Sequence, residues 1–210
     1  MRRTLSCVLM MTLLLCGCKA GGGQESAEGL AARIRSEYLG LAGWAARADL
    51  TADYGQRVYE FSLDARWEKD GETVLTVTAP ELIAGITARI GPKEAYLEYD
   101  GASLSTGALT GDGLTPLEAV PFLMEELTRG YMARCAFEGE GEECRLRVEY
   151  RDADAPLGQG AGCTAWFCPD THDLLGAELS WDGAVVLTAR LTDFTKEMTG
   201  DGTGDNADLG

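Results

Sequence analysis

Catalysis by a serine or cysteine nucleophile needs a nearby base, and this chain of 210 residues has one histidine, His172. It lies in Pro169-Asp170-Thr171-His172-Asp173, whose residue types are typical of a turn between two strands. We therefore expect a solvent-exposed histidine without a catalytic role. Acid pairs such as Asp152 and Asp154 could act as general acid and base, but 34 acidic residues produce such neighbours by chance. The sequence predicts no enzyme and no catalytic residue.

Motifs for metals and cofactors are also incomplete. The glycine-rich segment 158–162 lacks the strand-to-helix setting of a dinucleotide-binding loop. The acidic segment that begins at Gly200 lacks the glycine and glutamate that a calcium loop places at its sixth and twelfth positions. We predict no metal and no cofactor, and we expect residues 198–210 to form an acidic flexible tail.

The first residues have the layout of an export signal. Met1-Arg2-Arg3 is positively charged, an apolar run covers Leu5 to Leu15, and the small residue Gly17 precedes Cys18. The run is shorter than the about 20 apolar residues that cross a bilayer, so it predicts a signal peptide and not an anchor helix.

The end of this run, Leu15-Cys16-Gly17-Cys18, resembles the lipobox of bacterial lipoproteins. The resemblance implies a signal peptide over residues 1–17 and lipidation of Cys18, which would become the first residue of the mature chain. Residues 18–25, with three consecutive glycines, are then a flexible lipidated tether. The expected location is the extracytoplasmic face of the cell membrane.

The mature chain is strongly acidic. It would hold 16 basic and 34 acidic side chains, a net charge of −18. Such a charge repels phosphate groups, which disfavours nucleic acid as a partner and disfavours electrostatic binding to anionic lipid. Contact with the membrane is therefore expected to depend on the lipid on Cys18. An apolar fraction of 45% is sufficient for a folded core.

Four cysteines of the mature chain remain after Cys18, and thiols outside the cytoplasm are typical of disulfides. A two-residue loop after Glu138 would place Cys135 opposite Cys144, which favours that bond. Cys163 and Cys168 are five residues apart on an extended segment and point to opposite faces. A bond between Cys144 and Cys168 is the alternative, and the spacing of the four does not favour zinc.

The first half of the chain predicts one helix and five strands. Ser26 can cap a helix that runs to about Ala48, because apolar residues recur along it at spacings of three and four. Alternation from Tyr59 to Trp67 predicts a half-buried strand, and Thr73 to Ala79 predicts its partner. Further strands are expected over 83–90, 94–99 and 103–106, the last two joined by an Asp-Gly turn.

The second half predicts a helix and five more strands. Thr115 and Glu118 form a capping-box start, and Gly130 is placed to end the helix after Arg129. Pro121 requires either a kink or a separate short turn before it. The predicted strands cover 131–138, 143–151, 164–168, 174–181 and 184–194.

The element order, the lipobox and several short segments together resemble the LolA/LolB-like superfamily of lipoprotein carriers. The segments are Val58-Tyr59-Glu60-Phe61, Pro80 to Ile86, Tyr99-Asp100-Gly101 and Gly113-Leu114-Thr115-Pro116. The resemblance implies an α+β domain over residues 26–197, in which a curved antiparallel half-barrel of about ten strands is covered on one face by two helices. It also implies an apolar cavity, although some members of the superfamily act by binding another protein.

Two functions follow as hypotheses. In the first, an apolar cavity binds a lipid or an acylated ligand. Its candidate lining residues are Tyr59, Phe61, Leu63, Trp67, Leu117, Val120, Leu123, Met124 and Leu127. In the second, the same residues form a filled core, and the lipoprotein binds, regulates or localises an extracytoplasmic partner protein such as an envelope or spore-germination enzyme.

Overall fold

The structure is a computed structural model that describes residues 25–107 and 115–199. The predicted signal peptide, Cys18, most of the tether and the tail from residue 200 lie outside the described residues. Within the described part of the chain, two helices accompany eleven strands in one antiparallel sheet that is not closed. The predicted fold class, a large antiparallel sheet covered by two helices, is confirmed.

The first helix, α1, covers Ala27–Leu39. Ser26 caps it as predicted, because its Oγ accepts a hydrogen bond from the N–H of Gly29 at 3.1 Å. The predicted extension to Ala48 is wrong: the helix ends at Gly40, and Leu41–Asp53 forms strand β1. This strand is the eleventh, beyond the ten that the sequence predicts.

The remaining elements follow in chain order, and most predicted strands are found within a few residues of their predicted limits. They are β2 Val58–Glu68, β3 Thr73–Ala79, β4 Thr87–Ile90, β5 Ala95–Tyr99, β6 Ala102–Gly107, α2 Ala119–Arg129, β7 Tyr131–Glu138, β8 Arg145–Arg151, β9 Ala161–Phe167, β10 Leu174–Trp181 and β11 Ala184–Met198. The strand predicted over 83–90 is shorter in the structure, because Ile83 ends a 3₁₀ turn at Glu81–Ile83 and β4 begins at Thr87.

The order of strands across the sheet is β6-β5-β4-β3-β2-β1-β11-β10-β9-β8-β7. The first and last strands of the chain's sheet region, β1 and β11, therefore meet in its middle, and β6 and β7 form the two edges. Strands β1, β3, β5, β8 and β10 finish at one end of the sheet, which we call the upper end. The opposite end, where β1 begins, is the lower end.

Two Asp-Gly turns close hairpins at the upper end, as predicted. Tyr99 pairs with Ala102 and Trp181 with Ala184, so each hairpin has a two-residue loop. In both loops the aspartate and the glycine have positive φ, with values of 48° and 77° in the first and 49° and 79° in the second. This is the conformation that a tight hairpin turn needs to match strand twist.

The register of the β7–β8 hairpin differs from the predicted one, which placed Cys135 opposite Cys144. Glu138 pairs with Arg145, and the connection includes a 3₁₀ turn at Gly141–Glu143, so Cys135 lies opposite Val148 and not opposite Cys144. The four described cysteines are free thiols. The predicted two-residue loop is wrong because Gly139 and Gly141, both at positive φ, support a longer connection.

Helix α2 begins after a separate turn, which was one of the two alternatives for Pro121. The Thr115 hydroxyl donates to Glu118 Oε2 at 2.8 Å, and the N–H of Glu118 donates back to Thr115 Oγ1 at 3.3 Å. Pro121 is the third residue of α2, where its missing N–H removes no bond within the helix. Gly130 ends the helix as predicted.

Candidate functional site

An apolar cavity lies beneath the first turns of α2. The helix contributes its roof and the sheet contributes its floor, through the middle strands β1, β2, β10 and β11. The lining residues are Trp44, Ala48, Leu50, Leu63, Ala65, Ala119, Val120, Leu123, Ala177, Leu179, Leu187, Ala189 and Leu191. Each of these side chains is apolar, so the cavity offers a ligand burial and no hydrogen bonds.

The cavity is small in this conformation. Its volume is about 30 Å³, which is comparable to the share of one molecule in liquid water, whereas pockets for small ligands commonly occupy about 300–1,000 Å³. Five of its lining residues are alanines. An acyl chain would therefore enter only if α2 moved away from the sheet or if the leucine side chains changed rotamer.

The predicted lining residues occupy several different places. Leu63, Val120 and Leu123 line the cavity. Leu127 is in the core, and Leu117 is half-buried against it. Trp67 and Met124 line a wider groove of about 360 Å³ at the lower end, which also contains charged side chains. Tyr59 and Phe61 lie beyond the cavity, toward the upper end.

Strand β1 supplies lining residues that the sequence analysis missed. Trp44, Ala48 and Leu50 belong to it: the first two fall in the predicted extension of the first helix to Ala48, and Leu50 lies just beyond it. The period-two alternation of buried residues from Trp44 to Ala52 is the signal that identifies them.

The apolar floor of the cavity continues to the upper end of the sheet, where its rings are partly exposed among the residues that the structure describes. On β2, Phe61 and Tyr59 follow Leu63 on the same face, and their rings stack with centroids 6.3 Å apart. Tyr54, in the β1–β2 turn, meets Tyr59 edge-on at 6.2 Å. On β10, Trp181 follows Leu179 on the cavity face. Aromatic rings therefore extend the apolar surface outward from the cavity.

The C-terminal end of α2 is fastened by Arg35 of α1. The Arg35 Nε donates to the carbonyl of Leu127 at 3.2 Å, and its Nη2 donates to the carbonyl of Gly130 at 2.6 Å. A cation at this position satisfies carbonyls that have no partner inside the helix and complements its dipole. Near the middle of α2, Trp44 Nε1 donates to Met124 Sδ at 3.0 Å.

A polar cluster joins three elements at the lower end. Glu37 Oε2, on α1, lies 2.6 Å from His172 Nδ1. Glu37 Oε1 accepts a hydrogen bond from Lys196 Nζ of β11 at 2.7 Å. Partial burial would raise the pKa of Glu37, but the hydrogen bonds from Lys196 and His172 outweigh it and lower that pKa. The prediction of a solvent-exposed histidine is wrong, because the His172 side chain is only 17% exposed.

Burial and hydrogen bonding shift the pKa values of the Cys163 and Cys168 thiols in opposite directions. Burial raises the pKa of the Cys163 thiol, and the nearby charge of Glu126 adds to the effect. Burial also tends to raise the pKa of Cys168, yet hydrogen bonds from Thr171 and from the backbone lower it overall. Among the described residues, no group of three or more histidine, cysteine or acidic side chains could hold a metal ion.

Neither described helix combines the length and the hydropathy needed to cross a bilayer.

Comparison with known proteins finds solved structures of similar fold. No family model matches the chain, and no curated protein matches it. LprF from Mycobacterium bovis is 15% identical, with 84% of this chain and 97% of that chain covered and a TM-score of 0.46. A LolA superfamily protein from Nitrosomonas europaea is 9% identical, with 84% and 96% covered and a TM-score of 0.43.

The matches also include the GerS lipoprotein complex with the CwlD amidase from Clostridioides difficile. That match is 11% identical, covers 82% of this chain and 97% of that chain, and has a TM-score of 0.39. The family that the sequence resembles is thus represented among the structures to which this chain is similar.

Proposed function

We propose that the protein is a membrane-anchored extracytoplasmic lipoprotein that accommodates a lipid or an acylated ligand beneath α2. The observation that supports this most directly is the wholly apolar lining of the cavity, together with an apolar floor that continues past Phe61 to partly exposed rings at the upper end. A purely structural core has no need of an apolar approach from solvent.

Ligand entry requires the cavity to widen from about 30 Å³. Outward movement of the start of α2 breaks apolar contacts of Val120 and Leu123 with the floor. An acyl chain that takes the vacated space restores apolar burial, at about 25 cal/mol per Å² of surface removed from water. The alanines at positions 48, 65, 177 and 189 leave room on the floor for such a chain.

We propose a non-enzymatic role. His172 contacts Glu37 at the lower end of the sheet, whereas the apolar floor extends from the cavity toward the upper end. A base held there cannot activate a nucleophile at the cavity.

The anchor is tested by replacing Cys18 with alanine. Lipidation of Cys18 predicts that the wild-type protein is recovered with the membrane fraction and that the variant is lost from it. Membrane retention equal to that of the wild type would contradict the anchor.

Ligand carriage is tested by native mass spectrometry. Residues 25–199 are exported from the protein's own host behind a signal peptide that does not direct lipidation, and the protein is purified without detergent. We expect a co-purifying lipid. Leu63→Trp and Leu123→Trp fill the cavity and should remove it, whereas Leu104→Trp, on the exposed edge strand β6, should not.

The second candidate function is partner binding. It is favoured by the volume of about 30 Å³, which describes a nearly filled core in this conformation. A lipid-free domain that captures one extracytoplasmic protein in a fixed ratio, with no effect of Leu123→Trp on that capture, would support it and would overturn lipid carriage.

A further inference from the structure

The exposed large apolar side chains of the described residues are unevenly distributed. Nine of the fourteen belong to the upper end of the sheet: Tyr54, Val58, Tyr59, Leu82, Tyr99, Tyr131, Leu157, Trp181 and Val185. They come from six separate parts of the chain, and the strand order places all six at the same end of the sheet. Leu82 and Leu157 are the most exposed, at 90% and 84%. Isolated exposed leucines are common, so what distinguishes this end is the number of exposed apolar side chains that share it.

The upper end is also the end toward which the cavity floor extends. Tyr59 leads from the upper end to Phe61 and then to Leu63 inside the cavity. Trp181 occupies the corresponding place on β10, two residues beyond Leu179. A molecule that passes along this floor must pass the upper end.

We infer that the upper end docks on the surface of a lipid bilayer, with Leu82 and Leu157 inserted among the acyl chains and Tyr99 and Trp181 at the level of the headgroups. The inference rests on the proposed anchor, because only six residues lie between Cys18 and Glu25, so the distance between these two residues is at most about 25 Å. The domain is thereby kept at the membrane. Tyrosine and tryptophan are enriched at membrane interfaces.

A bilayer fits this surface better than a protein partner does. The apolar side chains are carried on separate connections and are interspersed with aspartates, of which Asp53 and Asp182 accept backbone hydrogen bonds within the upper end. The core of a protein interface is depleted of charge and requires a continuous complementary shape. A fluid bilayer accepts isolated apolar side chains and leaves the aspartates in the hydrated headgroup region.

The charge of the upper end determines which lipids it tolerates. In addition to Asp53 and Asp182, the acidic residues Glu81 and Asp100 lie at the upper end. Basic residues near the same strand ends include Arg57 and Arg151. Anionic headgroups would therefore repel it. Docking driven by apolar insertion is expected to persist at high salt, unlike docking driven by charge attraction.

Site-specific photo-crosslinking tests the inference in the full-length lipidated protein. A benzophenone amino acid replaces Leu82 in one variant and Leu157 in another. In the matched control variants it replaces Lys93 or Glu142, which are exposed at the lower end. The protein is reconstituted into phosphatidylcholine vesicles that carry a radiolabelled lipid and is then irradiated. We expect labelled lipid on the protein from positions 82 and 157, at low and at high salt, and on the order of tenfold less from the control positions.

Charged substitutions provide the second measurement. With the crosslinker at Tyr99, the combined change Leu82→Glu and Leu157→Glu should lower lipid crosslinking on the order of tenfold, whereas Leu104→Glu, on the edge strand, should leave it unchanged. Equal lipid crosslinking from both ends of the sheet would overturn the inference. So would crosslinks from positions 82 and 157 to a protein in native membranes with none to lipid.

The outcome is independent of ligand carriage. Lipid crosslinking at the upper end without co-purifying lipid would leave docking in place and remove the carrier function. Co-purifying lipid without crosslinking at the upper end would do the reverse.

Discussion

The substitution Glu37→Gln removes one charge from the cluster that joins α1, the β9–β10 turn and β11, and it preserves the shape of the side chain. Glu37, His172 and Lys196 are 24%, 17% and 16% exposed, so solvent screens their interactions only in part. A hydrogen bond to a charged group contributes about 1.5–3 kcal/mol. The substitution weakens two such hydrogen bonds, those of Glu37 with His172 and with Lys196. Lys196 retains its ion pair with Asp173, at 3.2 Å.

We therefore expect a loss of about 2–4 kcal/mol in the free energy of unfolding at pH 7. For a chain of this length the loss corresponds to a decrease in Tm of roughly 5–12 °C. The magnitude is measured by urea denaturation followed through tryptophan fluorescence.

The pH dependence has a definite sign. The folded-state pKa of Glu37 is lowered, so its contribution is fully present above the unfolded value of about 4.3. It is lost as the pH falls through the lower folded-state pKa. The difference between wild type and Glu37→Gln should thus be largest at neutral pH and should shrink below about pH 4.

Glu25→Gln is the matched control, because Glu25 pairs with Arg33 on the exposed surface beside the same helix. Exposed pairs contribute about 0–1 kcal/mol, so this variant should be near wild type. A loss for Glu37→Gln that is the same at acid and neutral pH, or no larger than that of the control, would refute the argument.

Two further variants or labels test neighbouring parts of the fold. Arg35→Met removes both hydrogen bonds to the end of α2. It should lower the free energy of unfolding, measured by urea denaturation, by about 2–3 kcal/mol. An unchanged denaturation midpoint would show that Arg35 does not hold the helix. Iodoacetamide should alkylate Cys168 before Cys163, which is buried and should react only on unfolding. Equal rates by peptide mass spectrometry would contradict these environments.

Much of the sheet could be predicted because its strands carry local signals. The alternation from Leu63 to Trp67 corresponds to the two faces of β2, although Tyr59 at the start of the same pattern is exposed, and the Asp-Gly pairs set two hairpins. Strand β1 was assigned to a helix because Leu41, Ala45 and Ala48 continue the helical spacing by coincidence. Alanine fits either element, so the alternation of Trp44, Ala46 and Leu50 had to compete with that spacing.

The rest depended on long-range pairing that no local pattern contains. The meeting of β1 and β11 in the middle of the sheet places Leu187 and Leu191 on the cavity floor beside Leu50. Likewise, the Glu37–His172 contact joins residues 135 positions apart. A turn histidine in sequence becomes a half-buried partner only after the β9–β10 turn has been brought to the end of α1.

A small cavity is the expected state of a lipid carrier that holds no ligand. An empty apolar site that stayed open would expose its floor to water, so a carrier is most stable with α2 closed when no ligand is present. Its apparent affinity is then reduced by the fraction of molecules in which α2 is open. Substitutions at Val120 or Leu123 that weaken the closed state should therefore tighten ligand binding while they lower stability. In a filled core that only supports a partner surface, the same substitutions lower stability and nothing else.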